Sequence, residues 1–353
     1  EPRSCFLSAP CLLRRVAELP SLFPYAARPG QAELVAFLRS AADEGRHAVV
    51  ESGTGTGKTV SVLAAALSSA RATGRRVVYL TRTNSQARQV MVEARAIAAK
   101  SGERRLALAL QGRQHLCPLR ATDPEMAAAD SEELALLCKD KMKAAEDVVA
   151  GRKPKHAPCP FHERGLVEGN APLLQWIREE LPDAQGIAAR VSASGRCPHV
   201  LTRGLLLEAE LVVAPDGYLL HPGLRGAFLR WMGASLADII VVIDEAHNLP
   251  AQARELATAR LTRTSIERAL AETRAFGDPV ALGNLPLSRL LRALDAVFVE
   301  LSESYLPEGA EDALLPPEEF DVLLLSSLQA STPGLDRPLA PMEESAAAVR
   351  DSA

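Results

Sequence analysis

The octapeptide SGTGTGKT at residues 52–59 constrains this chain more than any other stretch. It follows a short β-branched run, HAVV, and opens an alanine-rich helical run, TVSVLAAALSSARA. Gly53, Gly55 and Gly57 let the backbone wrap so that successive N–H groups face one point, which suits a phosphate. Lys58 is then placed to reach β- and γ-phosphates, and the Thr59 hydroxyl to ligate Mg²⁺. An ordinary glycine-rich turn is the competing reading, and the order strand, loop, helix argues against it. Ser52 stands where the strict pattern has glycine, but the position needs only a small residue.

Such a loop belongs at the edge of a parallel sheet, and the surrounding pattern agrees. RPGQAELVAFLRSAAD (28–43) and SQARQVMVEARAIAAK have helical apolar spacing, and RRVVYLTRT reads as a second strand. Two further strands come later, AELVVAP (209–215) and DIIVVIDEAHNL (238–249). Apolar runs without polar alternation suit a parallel sheet covered on both faces. Asp244-Glu245 closes the last of them and puts two carboxylates at the carboxyl edge, where ligands of such sheets bind. Alone, an Asp-Glu pair there is more often a solvated helix start. Paired with a phosphate loop, Asp244 reads as a holder of the Mg²⁺ shell and Glu245 as the group that polarises water.

Between residues 101 and 205 the strand pattern lapses for too long to be a loop, so an inserted subdomain is expected. It contains Cys117, Cys138, Cys159 and Cys197, separated by 20, 20 and 37 residues, and proline follows three of them. Proline there removes a backbone N–H and biases the cysteine toward extended backbone. Four inert buried thiols, disulfides, a zinc site and an iron–sulfur cluster compete. Disulfides suit a nucleotide-hydrolysing motor in a reducing compartment poorly. Zinc sites usually show tight cysteine pairs, whereas a cluster tolerates wide spacing. From Lys139 to Arg164 there are seven basic and four acidic residues. Cys5 and Cys11 lie apart and read as ordinary thiols.

After Pro250 the pattern is helical throughout. TRTSIERALAETRAFG is expected to start on a capping box, Thr264 with Glu267, and to stop at Gly277. LSRLLRALDAVFVELSES and PPEEFDVLLLSSL follow as two more helices, and the end is polar and proline-rich. From Glu300 onward the net charge is −10, so the rest of a chain of net −4 carries +6. A basic body fits a polyanionic ligand, and no apolar run is long enough to cross a membrane. The first twenty residues read as an extension.

The phosphate loop, the DEAH sequence at 244–247 and FPYAARPGQ (23–31) together resemble the first motor domain of superfamily 2 helicases. Arg28-Pro29-x-Gln31 resembles that group's adenine-reading Q motif, with Phe23 or Tyr25 packing nearby. YLTRTNSQ (79–86) resembles motif Ia, in which Arg82 and Thr83 match the single-strand contacts. A cysteine-rich insertion between motif Ia and the DEAH box is similar to the XPD family. Bacterial DinG-type helicases are the less even match.

The resemblance implies a RecA-like α/β motor domain with a parallel sheet, an inserted Fe–S subdomain and a mostly helical, Arch-like C-terminal segment. The expected boundaries are 1–20 for the extension, 21–100 and 206–250 for the motor halves, and 101–205 for the insertion. The Arch-like part takes 251–330 and a loose segment 331–353. Implied catalytic residues are Lys58, Asp244, Glu245 and His247, with Arg28, Gln31, Gly53, Gly55, Gly57, Lys58 and Thr59 on ATP–Mg²⁺. A [4Fe–4S] cluster on Cys117, Cys138, Cys159 and Cys197 is implied, with Arg113 and His115 beside it facing DNA. Tyr218-Leu219-Leu220 matches a family segment that precedes the DEAH strand.

The function implied is that of an ATP-dependent 5′-to-3′ DNA helicase acting on single-stranded or forked DNA. Its expected setting is a monomer in the cytoplasm, or in the nucleus of a eukaryote, with repair or transcription complex subunits as partners. A non-catalytic DNA-binding scaffold is the alternative, separated from it by strand-stimulated ATP turnover. With no second motor lobe read in the sequence, these 353 residues are expected to bind ATP and to hydrolyse it slowly.

Overall fold

The computed structural model describes residues 5–6, 19–53, 55–103, 105–258, 261–275, 277–282, 285–316 and 318–329. The expected loose segment 331–353 lies outside them, as does Cys11. The chain divides into two compact units, Glu1–Arg254 and Glu255–Ala353.

The first unit is built on a four-stranded parallel sheet of order β4-β5-β3-β6, as the unalternated apolar runs predict. β3 is Arg76–Thr81, β4 Ala107–Ala109, β5 Leu211–Pro215 and β6 Ile239–Ile243. Their register pairs Tyr79 with both Val213 and Val242, so the central strand β3 is tied on both sides. Three helices run between and around the strands: α1 Gln31–Asp43, α2 Lys58–Thr73 and α3 Asn84–Ser101. Alanine is what lets α2 lie close, since Ala64, Ala65, Ala66 and Ala70 are all buried in the shared core. α3 begins on a capping box in which Thr83 accepts from the Gln86 N–H and Gln86 reaches back to the Thr83 N–H.

Two features differ from expectation. The run before the phosphate loop forms only a two-residue strand, β2 (Ala48–Val49), which pairs in parallel with β1 (Cys5–Phe6) and with no strand of the main sheet. Three consecutive apolar residues make too little ladder to hold a place in the larger sheet, and Val49 is 64% exposed. The expected insertion, 101–205, also contains a strand of the main sheet: β4 pairs with β5, so the departure from the sheet comes after residue 109.

The insertion proper is helical. Three of its helices begin at a Cys-Pro step: Pro118–Ala121, Pro160–Glu168 and Pro198–Leu205. Proline suits the first helical position because its missing N–H would have no partner there. The three preceding cysteines share one conformation, φ/ψ of −78/112, −78/111 and −85/112 degrees. Each is the extended residue expected before proline, and each serves as its helix's N-cap.

In the second unit the helices Arg263–Ala275, Leu287–Tyr305 and Glu319–Gln329 match the periodic segments. The region is not purely helical, because β7 (Val280–Leu282) and β8 (Leu285–Pro286) pair antiparallel. Gly277 and Asp278, both at positive φ, turn the chain out of the helix, and the Asp278 carboxylate accepts from the Ser288 N–H and hydroxyl. The capping box lies two residues earlier than expected. Thr262 Oγ1 accepts from the Ser265 N–H at 3.1 Å and Ser265 Oγ from the Thr262 N–H at 3.2 Å. The chain enters the helix at Thr262, so Ser265 and not Glu267 is the residue three positions on that reaches back.

Candidate nucleotide and cysteine sites

The phosphate loop closes on itself and on the segment before α1. Gly55 and Gly57 adopt φ of 79 and 78 degrees, the left-handed backbone that only glycine takes cheaply. Lys58 opens α2 and its Nζ donates to the Ser52 carbonyl oxygen at 2.9 Å, spanning the loop. Ser52 Oγ meets Thr56 Oγ1 at 2.8 Å, so the departure from glycine there is used to brace the loop.

Gln31, buried at the start of α1, donates its side-chain amide to the Thr56 carbonyl at 3.1 Å and accepts from the Arg28 N–H at 2.8 Å. Arg28 Nη1 in turn donates to the Gly55 carbonyl. The two polar residues of the RPGQ sequence therefore hold the loop itself. Phe23 is buried, and exposed Tyr25 packs edge-to-face on it at 6.5 Å.

β6 delivers Asp244 and Glu245 to the same carboxyl edge, and the Asp244 N–H bonds to the Leu80 carbonyl of β3 at 3.2 Å. Burial, and then the Glu245 charge, hold the Asp244 carboxyl above its usual range, while Lys58 pulls the other way. Glu245 sits at φ 52 and ψ 45, left-handed backbone that costs an L-residue about 1–2 kcal/mol. Outliers of this kind gather where geometry matters for function. His247 Nδ1 lies 3.3 Å from Glu245 Oε2.

Tyr79 of β3, which the sequence reading passed over, is buried next to Thr59, and burial followed by the Asp244 charge pushes its phenol well up. Arg82 and Thr83 follow directly after β3, both exposed. Thr83 uses its hydroxyl as the cap of α3, whereas Arg82 reaches Asn248 of the turn after β6.

Some distance along the chain, all four clustered cysteines line one pocket with Arg113, Pro118, Leu119, Met126, Lys141, Met142 and His199. Cys138, Cys159 and Cys197 are buried and Cys117 half-buried. Burial pushes the Cys138 and Cys159 thiols up, and Cys197 up to about 12, against N–H groups of the helix starts that draw Cys159 and Cys197 down. Burial, with Arg113 and Arg203 nearby, pushes His199 down to about 3, so it stays neutral. Among the described residues no three His, Cys, Asp or Glu side chains converge to hold a metal ion. The four thiols stand around the pocket wall instead. His115, expected beside Arg113, is exposed and is not part of that wall.

The first unit thus combines a phosphate-type glycine loop, whose short strand pairs outside the main sheet, with a DEAH turn that follows strand β6 of the parallel sheet. The DEAD_2 family model matches residues 79–266, more than half of the chain, and the chain belongs to that family. With it come relatives named as XPD: the general transcription and DNA repair factor IIH helicase subunit XPD of Arabidopsis thaliana is 25% identical over 73% of this chain and 34% of its own length. The Schizosaccharomyces pombe protein of that name is 27% identical over 72% of this chain and 33% of its own. A regulator of telomere elongation helicase 1 homolog from Anopheles gambiae is 24% identical over 56% and 18%. A solved XPD helicase structure matches with a TM-score of 0.49 at 18% identity, covering 86% of this chain and 48% of that one. The chain spans about a third of the length of the curated XPD relatives it matches.

No helix among the described residues is long and apolar enough to cross a membrane.

Proposed function

We propose that this chain is the ATP-binding and strand-binding part of an ATP-dependent DNA helicase that moves 5′ to 3′ on single-stranded or forked DNA. The observation that carries the reading is that Lys58 interacts with Asp244 and Thr59 bonds Tyr79 beside Asp244, with Gln31 and Arg28 locked onto the glycine loop. Lys58 releases its hold on the Ser52 carbonyl to face β- and γ-phosphates, and the loop N–H groups take the remaining oxygens. Thr59 and Asp244 would hold Mg²⁺, which neutralises charge on the phosphates. Glu245 orients the attacking water and accepts its proton, and His247 steadies the Glu245 carboxylate. Arg82 and Arg113 take strand phosphates, and Thr83 presents the start of α3 to them.

Cys117, Cys138, Cys159 and Cys197 would hold a [4Fe–4S] cluster. What supports this reading is that all four thiols line one pocket, and that their wide spacing in sequence, without tight cysteine pairs, suits a cluster better than a zinc site. The cluster would fasten the helix starts of the insertion to one another. The helical second unit is the counterpart of an Arch-like domain. Relatives named as subunits of a transcription and repair factor support a place in such an assembly, and therefore at DNA.

Calorimetric titration with Mg–ATP, paired with phosphate release measured with and without oligo-dT, tests the reading. Binding of ATP and strand with strand-stimulated release in the intact protein is expected. Strand binding with no nucleotide binding would leave a scaffold and end the helicase assignment.

A further inference from the structure

Arg82 and Glu245 belong to different functions, strand contact and water activation, yet side chains join them without a gap. Arg82 Nη1 donates to Asn248 Oδ1 at 3.0 Å. Asn248 Nδ2 lies 3.2 Å from His247 Nε2 and also donates to the Glu245 carbonyl at 3.1 Å. His247 Nδ1 closes on Glu245 Oε2 at 3.3 Å. All four residues sit on the two turns that leave adjacent strands, β3 and β6.

The polarity of this chain is fixed by its ends. A guanidinium only donates, so Asn248 must turn its oxygen toward Arg82 and its N–H₂ toward His247. His247 Nε2 then accepts and carries no proton, which leaves the proton on Nδ1, aimed at the Glu245 carboxylate. Arg82 thus donates to Asn248 and Asn248 to His247, and the last link, from His247 Nδ1 to Glu245 Oε2 at 3.3 Å, is a close polar contact. Asn is the side chain that can both accept from an arginine and donate to a histidine at this reach. The Arg82 backbone N–H donates to Gln86 Oε1 at 3.1 Å, and its guanidinium bonds no side chain but Asn248 among the described residues, so its remaining side-chain donors are open to a phosphate.

We propose that Asn248 is a positioning residue that couples strand binding at Arg82 to the orientation of Glu245, and so sets how strongly a bound strand stimulates ATP hydrolysis. A strand phosphate forms a charge-assisted bond with Arg82 and shifts its hold on Asn248. Asn248 then moves against His247, and Glu245 is re-aimed. The left-handed backbone of Glu245 makes this possible, since a residue held off its preferred conformation by neighbours moves when they do. This inference rests on the helicase reading above and adds to it the route by which one site informs the other.

The test uses the intact protein with Asn248→Ala and Asn248→Asp, folding checked by thermal melts. ATP turnover is measured against ATP at zero and saturating oligo-dT, and strand affinity by fluorescence anisotropy. For Asn248→Ala, strand affinity and KM should stay within about two-fold, while stimulation of kcat by the strand falls by about five-fold or more. Asn248→Asp keeps an acceptor for Arg82 but has no donor for His247, and should lose stimulation equally. Full stimulation in either variant would overturn the coupling, as would an equal fall of the strand-free and strand-bound rates, which a merely structural role produces. A wild-type protein without strand-stimulated turnover would instead overturn the helicase reading and this inference with it.

Discussion

The side-chain amide of Gln31 occupies the space that a side chain on Gly57 would need. A Cβ built on Gly57 lies 2.3 Å from Gln31 Nε2, and the residue's φ is +78 degrees. Gly57→Ala therefore meets a contact and a backbone penalty together. It should abolish Mg–ATP binding by calorimetry while leaving the helical circular dichroism near wild type. Gln31→Ala opens the space but drops the bond to Thr56, and should weaken binding by about ten-fold, the equivalent of one lost buried hydrogen bond.

On the proposed reading, variants at Lys58 and Glu245 should separate binding from turnover. Lys58→Ala removes the charge that faces the phosphates and should raise the Kd for ATP by about ten-fold or more. Glu245→Gln keeps the size of the side chain and removes the base, so the Kd should hold while phosphate release falls by about 10²–10⁴-fold. Equal losses of binding in both variants would show that Glu245 acts on the nucleotide and not on water.

Cys159→Ser tests the four-thiol pocket. Anaerobically purified wild-type protein should be brown and carry about four irons per chain. The variant should be bleached and lose most of its iron, and its insertion should be cut faster by trypsin while ATP still binds. Colourless wild-type protein with one zinc per chain would replace the cluster with a single ion.

Glu210 ties α2 and the segment before β4 to the start of β5. Its carboxylate receives Arg71 through two bonds, at 2.9 and 3.1 Å, and Arg105 at 3.3 Å. Arg71 and Glu210 are only 17% and 11% exposed, so removing the carboxylate leaves a guanidinium largely out of water. Glu210→Ala should cost about 2–3 kcal/mol in urea unfolding, below the full penalty for a broken buried pair because Arg71 keeps Glu103 at 3.4 Å and Arg105 is half exposed.

The parts of the site that are local in sequence were legible in it. The loop Gly53–Lys58, the Asp244-Glu245 strand end and the Cys-Pro steps each carry their own geometry over a few residues. β4 was not legible, because Ala107–Ala109 has neither β-branching nor alternation, and only pairing with Leu211–Val213 makes it a strand. Tyr79 was passed over since a tyrosine inside an apolar strand reads as core, and its nearness to Thr59 and Asp244 comes from the register. Asn248 was missed for a similar reason, as its partner Arg82 is 166 residues away. The capping box at Thr264 failed against Thr262 because two overlapping candidates differ only in how the turn is entered.

The shared backbone shape of Cys117, Cys159 and Cys197 has a thermodynamic consequence. Each thiol is attached to the first turn of a helix whose φ is already set by proline, so little freedom remains between thiol and helix. Whatever occupies the pocket therefore grips three helices directly. An occupant that binds only the ordered insertion would, by mass action, raise the ordered population with its own concentration, with a midpoint set by its affinity. On that account the insertion would be a titratable region of the chain, its order tied to the supply of whatever the pocket binds.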